Sequence, residues 1–445
     1  MKISVIGLGK LGSPLAAVFA SKGFAVIGVD MNVAAVAAIN AGRAPVDEPQ
    51  LQELIETNRQ RLRATLDVGE AISASDVTFV VVPTPSDASG RFSNAAILRA
   101  MEDVGAALRR KSDYHVVVIT STVMPGSTDG EIRATLERHA GRAVGPALGL
   151  CYNPEFIALG SVVRDMLRPD MILIGESDAK AGDLLETIYQ SSCDNQPAIR
   201  RMNFVNAELT KIAVNTFVTT KISYANMLAD ICDRLPAANV DVVTQAVGSD
   251  SRIGTKYLKG ATGYGGPCFP RDNAAFGVLA RSLGARAELA EATDVLNRYQ
   301  VERVLGAVEA RLIDSGAVGV LGLSYKPDTA VVEESQGVAL VERLLDRGRR
   351  VIAYDPKALP AAQLALRRPF ETAASAADCV RGASLVVVMT PWPEFRNIPA
   401  EAFGRSSGRL TVIDCWRMIP PGVGTVADVV YLGHGAVAQS ASISA

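Results

Sequence analysis

The sequence predicts an α/β protein with two doubly wound parallel-sheet domains, joined by a long helix and a small all-α central domain. Near each end of the chain, an apolar strand, a helix and a second strand follow one another, and the second strand closes on an aspartate, Asp30 or Asp355. Such alternation is typical of parallel sheets covered by helices. Between the two regions, residues 203–235 contain neither proline nor glycine and predict one helix on the order of 45 Å long.

Composition limits the domain count and the partners. The chain has 445 residues, 48% hydrophobic and 21% charged, which is enough for two or three domains with their own cores. Its formal net charge of −2 provides no general attraction for nucleic acid or an anionic membrane. We therefore expect a small-molecule partner, with no nucleic acid and no membrane.

The cysteines and histidines indicate neither a disulfide-rich protein nor a metalloprotein. Six cysteines lie far apart without a CxxC pair, which favours free thiols over a disulfide framework. The amino terminus enters a strand-like segment without a basic region and cleavage site, so we expect a cytoplasmic protein. Three scattered histidines, without carboxylates or cysteines at ligand spacing, indicate no metal site.

The first strand, Lys2 to Ile6, leads into the turn Gly7-Leu8-Gly9-Lys10-Leu11-Gly12, a helix from Pro14 to Lys22, and a second strand that ends at Asp30. These glycines allow a tight turn and let backbone N–H groups approach a pyrophosphate at the helix start. Asp30 would accept hydrogen bonds from a ribose 2′-OH and repel a 2′-phosphate. The pattern predicts a Rossmann-like domain that binds NAD in preference to NADP; the alternative is a glycine turn without a cofactor.

Two further strands, Val77 to Val82 and His115 to Ile119, flank a helix from Asn94 to Arg109. Ligands of doubly wound sheets bind beyond the carboxyl ends of the strands, where Thr84 and Thr122 follow. The predicted cofactor-binding residues are therefore Gly7, Gly9, Lys10, Leu11, Gly12, Asp30, Thr84 and Thr122.

On the long helix, Lys211 and Asn215 are four residues apart and therefore share one face. A cation and an amide in this arrangement can donate to the same substrate atom, and apolar neighbours favour partial burial of the lysine. The alternative is an ordinary solvated helix face.

The segment from Gly263 to Asp272 sets Cys268 after a glycine turn, between Pro267 and Pro270 and next to Arg271. Glycines permit close approach of a ligand, prolines restrict the backbone, and a nearby cation lowers a thiol pKa. The segment predicts a reactive thiol; the alternative is a tight loop with a buried cysteine.

The third region begins with a strand from Val318 to Leu323, followed by Ser324-Tyr325-Lys326-Pro327. A helix from Gly337 to Arg347 and a strand from Arg350 to Tyr354 complete the unit, and further strands are expected at residues 385–389 and 410–413. The region repeats the architecture of the amino-terminal domain without a second glycine fingerprint.

Together these motifs resemble the UDP-glucose/GDP-mannose dehydrogenase family of nucleotide-sugar 6-dehydrogenases. The resemblance extends from Met1 to about residue 420. Besides the glycine turn with Asp30 and the cysteine loop, it rests on Pro45-Val46-Asp47-Glu48-Pro49-Gln50-Leu51, Val82-Pro83-Thr84-Pro85, Ser121-Thr122-Val123, Asn153-Pro154-Glu155-Phe156, Asn206-Ala207-Glu208-Leu209-Thr210-Lys211, Arg252-Ile253-Gly254 and residues 322–327.

The resemblance implies a four-electron oxidation of a sugar C6 alcohol to a carboxylate by two NAD, through a thiohemiacetal and a thioester on Cys268. Lys211 and Asn215 match residues that stabilise developing oxyanions. Glu155, Thr122 and Asp272 match residues that activate or position water, and Asp272 is alternatively a residue that orients Lys211. Which carboxylate is the base stays open. The implied catalytic set is Cys268, Lys211, Asn215, Asp272, Glu155 and Thr122.

The resemblance also implies the substrate site and the domains. Arg252 matches an arginine that reaches the neighbouring subunit's substrate, which implies a homodimer. The implied substrate-binding residues are Phe156, Lys211, Asn215, Arg252, Tyr257, Leu258, Lys259, Gly265 and Lys326. We expect an NAD-binding domain at residues 1–200, a central helical dimerisation domain at 201–300, a nucleotide-sugar-binding domain at 301–430 and a mobile tail at 431–445.

Two departures from the family pattern leave alternatives open. Leu159 stands where the family usually has a carboxylate, and Glu333 replaces an arginine that contacts the cofactor in relatives. An acid near a pyrophosphate weakens binding unless the loop lies elsewhere. UDP-glucose is the expected substrate, with GDP-mannose or a UDP-hexosamine as alternatives. A two-electron hydroxyacid-type dehydrogenase and a catalytically quiet homologue that binds NAD or a nucleotide sugar are the competing functions.

Overall fold

The structure is a computed structural model that describes residues 1–312 and 316–436. The chain divides into two compact units, with the boundary between Ala213 and Val214. Each unit contains one predominantly or wholly parallel sheet with helices, and the expected fold class is confirmed: two Rossmann-like doubly wound sheets, a long helix and a helical central region.

The sheet of the first unit has the strand order β3-β2-β1-β4-β5-β6-β7-β8 among the described residues. Neighbouring strands are parallel except for the β6–β7 pair. The first six strands follow the order of dinucleotide-binding sheets. The strands are β1 (Lys2–Ile6), β2 (Ala25–Val29), β3 (Leu62–Thr65), β4 (Val77–Val80), β5 (His115–Ile119), β6 (Leu148–Tyr152), β7 (Met171–Glu176) and β8 (Ala198–Met202).

Helices cover both faces of this sheet. In β5, Val116 and Val118 face one hydrophobic cluster, whereas Val117 and Ile119 face the other, and all four side chains are fully buried. A strand with two buried faces is apolar throughout, which explains the uninterrupted apolar runs of the sequence. The α-helices are α1 (Gly12–Ser21), α2 (Val33–Asn40), α3 (Leu51–Thr57), α4 (Val68–Ala74), α5 (Ala95–Leu108), α6 (Arg133–Ala140), α7 (Val162–Leu167), α8 (Ala179–Ser192) and α9 (Phe204–Arg234).

The predicted long helix is α9, and it has 31 residues. The region that follows it is helical up to α12 in the part that the structure describes. Its α-helices, with those of the carboxyl-terminal sheet, are α10 (Val240–Ser249), α11 (Phe269–Ser282), α12 (Glu288–Glu309), α13 (Gln336–Asp346), α14 (Leu359–Ala365) and α15 (Ala376–Gly382).

The second unit's sheet is wholly parallel in the described residues and has the order β11-β10-β9-β12-β13-β14. It repeats the central order of the first sheet, because β10, β9 and β12 correspond to β2, β1 and β4. The strands are β9 (Val318–Leu321), β10 (Val351–Tyr354), β11 (Glu371–Thr372), β12 (Leu385–Val388), β13 (Leu410–Asp414) and β14 (Ala427–Tyr431).

Two strands end two residues before the predicted position, for identifiable reasons. The expected strand Val77 to Val82 ends at Val80, because the N–H and C=O of Val82 bond to the Ser121 hydroxyl instead of a neighbouring strand. The expected strand Val318 to Leu323 ends at Leu321, because Gly322 turns the chain with a φ of +100°.

The end of the described chain is bound to the central helical region. Residues 431–436 were assigned to the tail by the sequence, yet Gly433 N–H donates to Asp233 at 2.6 Å and Gly435 N–H donates to the Ala238 carbonyl at 2.9 Å. The rest of the expected tail, residues 437–445, lies outside the described residues. None of the described helices is both long enough and apolar enough to cross a membrane.

Candidate active site

The glycine turn between β1 and α1 is shaped to receive a pyrophosphate. A Cβ on Gly7 would lie 2.2 Å from the Val81 carbonyl oxygen, and one on Gly12 would lie 1.7 Å from the Gly7 oxygen. Gly7 also has a φ of +95°. Around Gly9, in contrast, there is no protein atom within 4 Å of the ideal Cβ position. Two glycines thus make the turn, and the third leaves open the space that a dinucleotide needs.

Asp30, at the end of β2, connects this turn to the expected ribose position. Its carboxylate accepts the Leu8 N–H at 2.6 Å and the Asn32 N–H at 2.8 Å, and it remains partly exposed. A carboxylate has about four acceptor positions, so Asp30 can still accept from ribose hydroxyls. The donor and acceptor set of the turn therefore fits NAD.

Hydrogen bonds from hydroxyl groups connect the segments that follow β4 and β5. The Thr84 hydroxyl donates to the Thr122 carbonyl at 2.7 Å. The Ser121 hydroxyl donates to the Val82 carbonyl at 2.6 Å and accepts the Val82 N–H at 3.0 Å. Thr84 and Thr122 thus lie together at the carboxyl edge of the sheet, with Thr122 partly exposed.

Glu155 follows β6 in the Asn-Pro-Glu-Phe motif. Burial raises the pKa of its carboxyl to about 7, although the Lys211 ammonium and a hydrogen bond from Tyr189 act in the opposite direction. Such a group is partly protonated at neutral pH and can accept or donate a proton. Glu155 lines a small cavity in the first unit, bordered also by Leu15, Val18, Phe19, Met166, Pro169, Ile172, Tyr189 and Ser192.

Lys211 projects from α9 onto the backbone of the same motif. Its ammonium donates to the Glu155 carbonyl oxygen at 2.7 Å and lies 4.8 Å from the centre of the Phe156 ring. Only 6% of the residue is exposed. Lysine has three N–H donors, and this one bond occupies one of them. Lys211, Glu155 and Phe156 are therefore brought together in the first unit.

Sequence reasoning missed two carboxylates that hold strand-end loops. Glu208 is fully buried and accepts the N–H groups of Gly126 at 2.6 Å and Thr128 at 2.7 Å, in the loop that begins with Thr122. Glu48 binds the loop that carries Glu155 in the same manner. Both glutamates lie in quoted motifs, but their burial and their distant partners leave no trace in a single sequence.

In the second unit, Cys268 occupies the N-cap position of α11 and is exposed. The other five cysteines are buried. The amino end of a helix carries partial positive charge, which favours thiolate over thiol, and Arg271 adds a cation in the first turn. The exposure of Cys268 argues against the buried-cysteine alternative, and its reactivity stays a prediction.

Asp272 and Asn215 are also brought together in the second unit. The Asn215 amide donates to Asp272 at 2.6 Å, and the carboxylate is fully buried beside the Arg271 guanidinium at 3.3 Å. The structure thus gives Asp272 an amide and a guanidinium as partners, whereas Lys211 donates to the backbone carbonyl of Glu155.

The cysteine loop packs against the segment that follows β9. Gly266 N–H donates to the Glu333 carbonyl at 2.9 Å, and a Cβ on Gly265 would lie 2.3 Å from the Glu334 carbonyl oxygen. Gly266 has a φ of +84° and lies against the Tyr325 ring. Glu333 therefore contributes its backbone to the loop, and its side chain is exposed.

The remaining residues expected to bind substrate are distributed around this loop. The Tyr257 ring is half exposed and meets the Phe269 ring edge to face at 6.2 Å, whereas Leu258 is buried. Arg252 is highly exposed and pairs with Asp250 at 2.6 Å. The ammonium groups of Lys259 and Lys326 lie 6.0 Å from the ring centres of Trp416 and Tyr325, respectively.

Asp355 corresponds in position to Asp30 but is used differently. One of its oxygens accepts the N–H groups of Leu323 at 2.7 Å and Ser324 at 2.9 Å, and the indole N–H of Trp392 at 3.1 Å. The other accepts two backbone N–H groups of residues 357 and 358. The Ser324 hydroxyl donates a sixth bond at 3.0 Å, and Asp355, only 2% exposed, fixes the first turn of the second sheet, in contrast to the partly exposed Asp30.

The first unit has the strand order, the open glycine position and the partly exposed aspartate of a dinucleotide site, and it defines a dinucleotide-binding domain that fits NAD. Comparison with known proteins gives the family. Profiles of the UDP-glucose/GDP-mannose dehydrogenase family match residues 1–193 as the NAD binding domain, 205–299 as the central domain and 319–421 as the UDP binding domain. The chain belongs to this family, and its cofactor is NAD.

Individual relatives agree with this assignment. UDP-glucose 6-dehydrogenase AglM of Haloferax volcanii is 38% identical over 94% of this chain and 97% of its own length. GDP-mannose 6-dehydrogenase of Pseudomonas putida is 34% identical over 80% of this chain and 81% of its own. The structure of a UDP-glucose dehydrogenase from Pyrobaculum islandicum superposes with a TM-score of 0.87 at 33% identity, covering 97% of this chain and 96% of that one. The protein is thus a nucleotide-sugar dehydrogenase.

Proposed function

We propose that this protein oxidises the C6 hydroxyl of UDP-glucose to the carboxylate of UDP-glucuronate, in two NAD-dependent steps that proceed through Cys268. The observation that carries the proposal is the placement of Cys268, an exposed thiol at the start of α11 in a chain whose other cysteines are buried. A two-electron dehydrogenase has no use for such a thiol.

Glu155 is the base we propose for the first oxidation. It accepts the C6 hydroxyl proton, directly or through water, and a pKa near 7 makes it competent at neutral pH. Asp272 is a weaker candidate, because Asn215 and Arg271 already engage its carboxylate. When bound, NAD accepts a hydride from C6 in each of the two oxidations.

Cys268 acts on the aldehyde product. Its thiolate adds to C6 and forms a thiohemiacetal, and the second oxidation converts this to a thioester. Water then attacks the thioester, the C6–S bond breaks, and the carboxylate leaves with the thiol restored. Oxyanions develop at C6 during addition and hydrolysis, and we assign their stabilisation to the N–H groups of Lys211 and Asn215.

UDP-glucose is favoured as the substrate by the names of relatives such as those of Haloferax volcanii and Pyrobaculum islandicum. The UDP binding domain profile at residues 319–421 agrees with a uridine nucleotide. We assign Tyr257, Lys259 and Lys326 to the nucleotide end. GDP-mannose is the alternative substrate, because the Pseudomonas putida relative is named for it.

We also propose that the protein is a homodimer. In the second unit, four large apolar side chains on α9 are between 37% and 63% exposed and recur at helical spacing: Phe217, Tyr224, Met227 and Ile231. A stripe of this kind favours a second copy as its partner. Arg252 is exposed and is our candidate for a contact with the neighbouring subunit's substrate. Sedimentation equilibrium measures the mass, and a monomer at micromolar concentration would contradict the proposal.

The substrate panel is tested with purified protein, NAD and, in parallel, UDP-glucose, UDP-galactose, GDP-mannose and UDP-N-acetylglucosamine. We expect the highest kcat/KM with UDP-glucose and loss of the full oxidation in Cys268→Ala. Cys232→Ala replaces a buried cysteine and is the matched control. Activity of Cys268→Ala equal to that of the control favours the hydroxyacid-type alternative. If the protein binds NAD but forms no NADH with any of the four sugars, the result favours the catalytically quiet homologue.

A further inference from the structure

Glu48 lies between α2 and α3 and is only 8% exposed. Its two carboxylate oxygens accept the N–H groups of Gly160 at 2.9 Å and Val162 at 2.8 Å. Gly160 lies in the connection between β6 and α7, which carries Glu155, and Val162 is the first residue of α7. We propose that Glu48 is a positioning residue, which anchors this connection and thereby holds Glu155 in place for the oxidation. This inference rests on the proposed role of Glu155.

The two bonds are of the strong kind. A buried carboxylate that accepts backbone N–H groups makes short, charge-assisted hydrogen bonds, about twice as strong as neutral ones. The connection turns at Gly160 with a φ of +85°, so its N–H direction is set by a left-handed backbone that glycine adopts without strain. Glu48 stabilises this turn on one side and the first N–H of α7 on the other.

Other contacts hold the opposite end of the connection. Asn153 donates its backbone N–H to the Ile119 carbonyl at 2.8 Å and its amide to the Leu173 carbonyl at 2.9 Å. Lys211 then binds the Glu155 carbonyl. The amino-terminal half is therefore tied to the sheet and to α9.

The carboxyl-terminal half is held by Ile157 and Leu159, which pack against the core, and by the two hydrogen bonds to Glu48. Asp165 also binds this half, through the Ala158 N–H at 3.3 Å and the Ser161 hydroxyl at 2.7 Å. Asp165 lies on α7, only seven residues beyond Ala158, so its bonds to the segment are local in the chain. Glu48 is 112 residues away from Gly160 in the chain and ties the segment to a separate part of the unit.

The test compares Glu48→Ala and Glu48→Gln with Glu53→Ala, which removes an exposed carboxylate five residues further on. Hydrogen–deuterium exchange of the peptide covering residues 156–163 reports the anchor directly. We expect exchange at Gly160 and Val162 to accelerate at least ~10-fold in Glu48→Ala, with the rest of the first unit unchanged. In Glu48→Gln the acceleration is smaller, because one amide oxygen still accepts one bond.

Steady-state kinetics of the same variants test whether Glu48 positions Glu155. We expect kcat to fall roughly 10- to 100-fold in Glu48→Ala, with KM for NAD unchanged and partial recovery in Glu48→Gln, because a misplaced base slows the chemical step. Glu53→Ala retains wild-type kcat. Unchanged exchange at Gly160 and Val162 overturns the anchor. Local acceleration without a fall in kcat, or acceleration throughout the unit, overturns the positioning role. A wild-type protein inactive on every sugar overturns the proposed function instead, and the exchange result then decides the anchor alone.

Discussion

Replacing Glu155 by glutamine should stabilise the first unit at alkaline pH while abolishing the oxidation. The carboxyl is ionised above its ordinary pKa of 4.5 in the unfolded chain but keeps its proton up to about pH 7 in the folded protein. Below pH 4.5 both states are protonated. As the pH rises from 4.5 to 7 the unfolded chain loses its proton first, so the wild-type protein loses stability over this interval.

The magnitude follows from the difference between the two pKa values. At pH 8 the ionised Glu155 costs the folded state about 3 kcal/mol, and at pH 5 it costs less than about 1 kcal/mol. Glutamine has no charge to bury and avoids this cost. Glu155→Gln should therefore raise the melting temperature of the first unit by roughly 6–12 °C at pH 8 and by only ~1–3 °C at pH 5.

The assay is differential scanning calorimetry of wild type and Glu155→Gln at both pH values, beside the initial rate of NADH formation. Glu102→Gln replaces an exposed glutamate on α5 and serves as the control for charge removal on the same unit. A melting-temperature shift at pH 8 that is no larger than the shift at pH 5, or that is negative, would refute the argument that burial penalises the ionised carboxyl. Full activity of Glu155→Gln would refute its role as the base.

Other predictions concern the cofactor turn and a buried histidine. Gly9→Ala should fold normally, because the added Cβ meets no neighbouring protein atom within 4 Å. The same Cβ fills the pyrophosphate space, so NAD binding measured by fluorescence titration should weaken at least ~10-fold. Gly12→Ala, in contrast, should not fold, because its Cβ would overlap the Gly7 carbonyl. His115 is fully buried between Thr78 at 2.7 Å and Lys111 at 3.1 Å, and burial lowers its pKa to about 3. The unfolded chain therefore takes up a proton first as the pH falls below 6.5, and the first unit should lose about 2 kcal/mol between pH 7 and 5. A His115→Gln variant whose stability has the same pH slope in calorimetry would contradict this assignment.

The sequence predicts the fold because its elements are locally encoded. Apolar runs of four to six residues give strands with two buried faces, and the unbroken run from 203 to 235 gives α9 within one residue at each end. Strand ends are less predictable, because their limits depend on distant partners. Ser121 ends β4, and Asp355 holds the turn after β9.

The candidate site is predicted in residue type but not in connectivity. The pattern around Cys268 indicates an accessible thiol, since helix start, glycines and cation are neighbours in the chain. It does not reveal that Asp272 meets Asn215, or that Lys211 meets the Glu155 carbonyl, because these pairs are 57 and 56 residues apart. Glu48 and Glu208 escape prediction for the same reason: a buried carboxylate bound to two backbone N–H groups looks, in sequence, like any surface glutamate.

The most direct test of the account is the amount of NADH formed per molecule of UDP-glucose when NAD is in excess and the reaction runs to completion. The account predicts two NADH per sugar for wild type and for Cys232→Ala, with UDP-glucuronate as the product, and at most one for Cys268→Ala. One NADH per sugar with the wild-type protein, or two with Cys268→Ala, would contradict the thioester route.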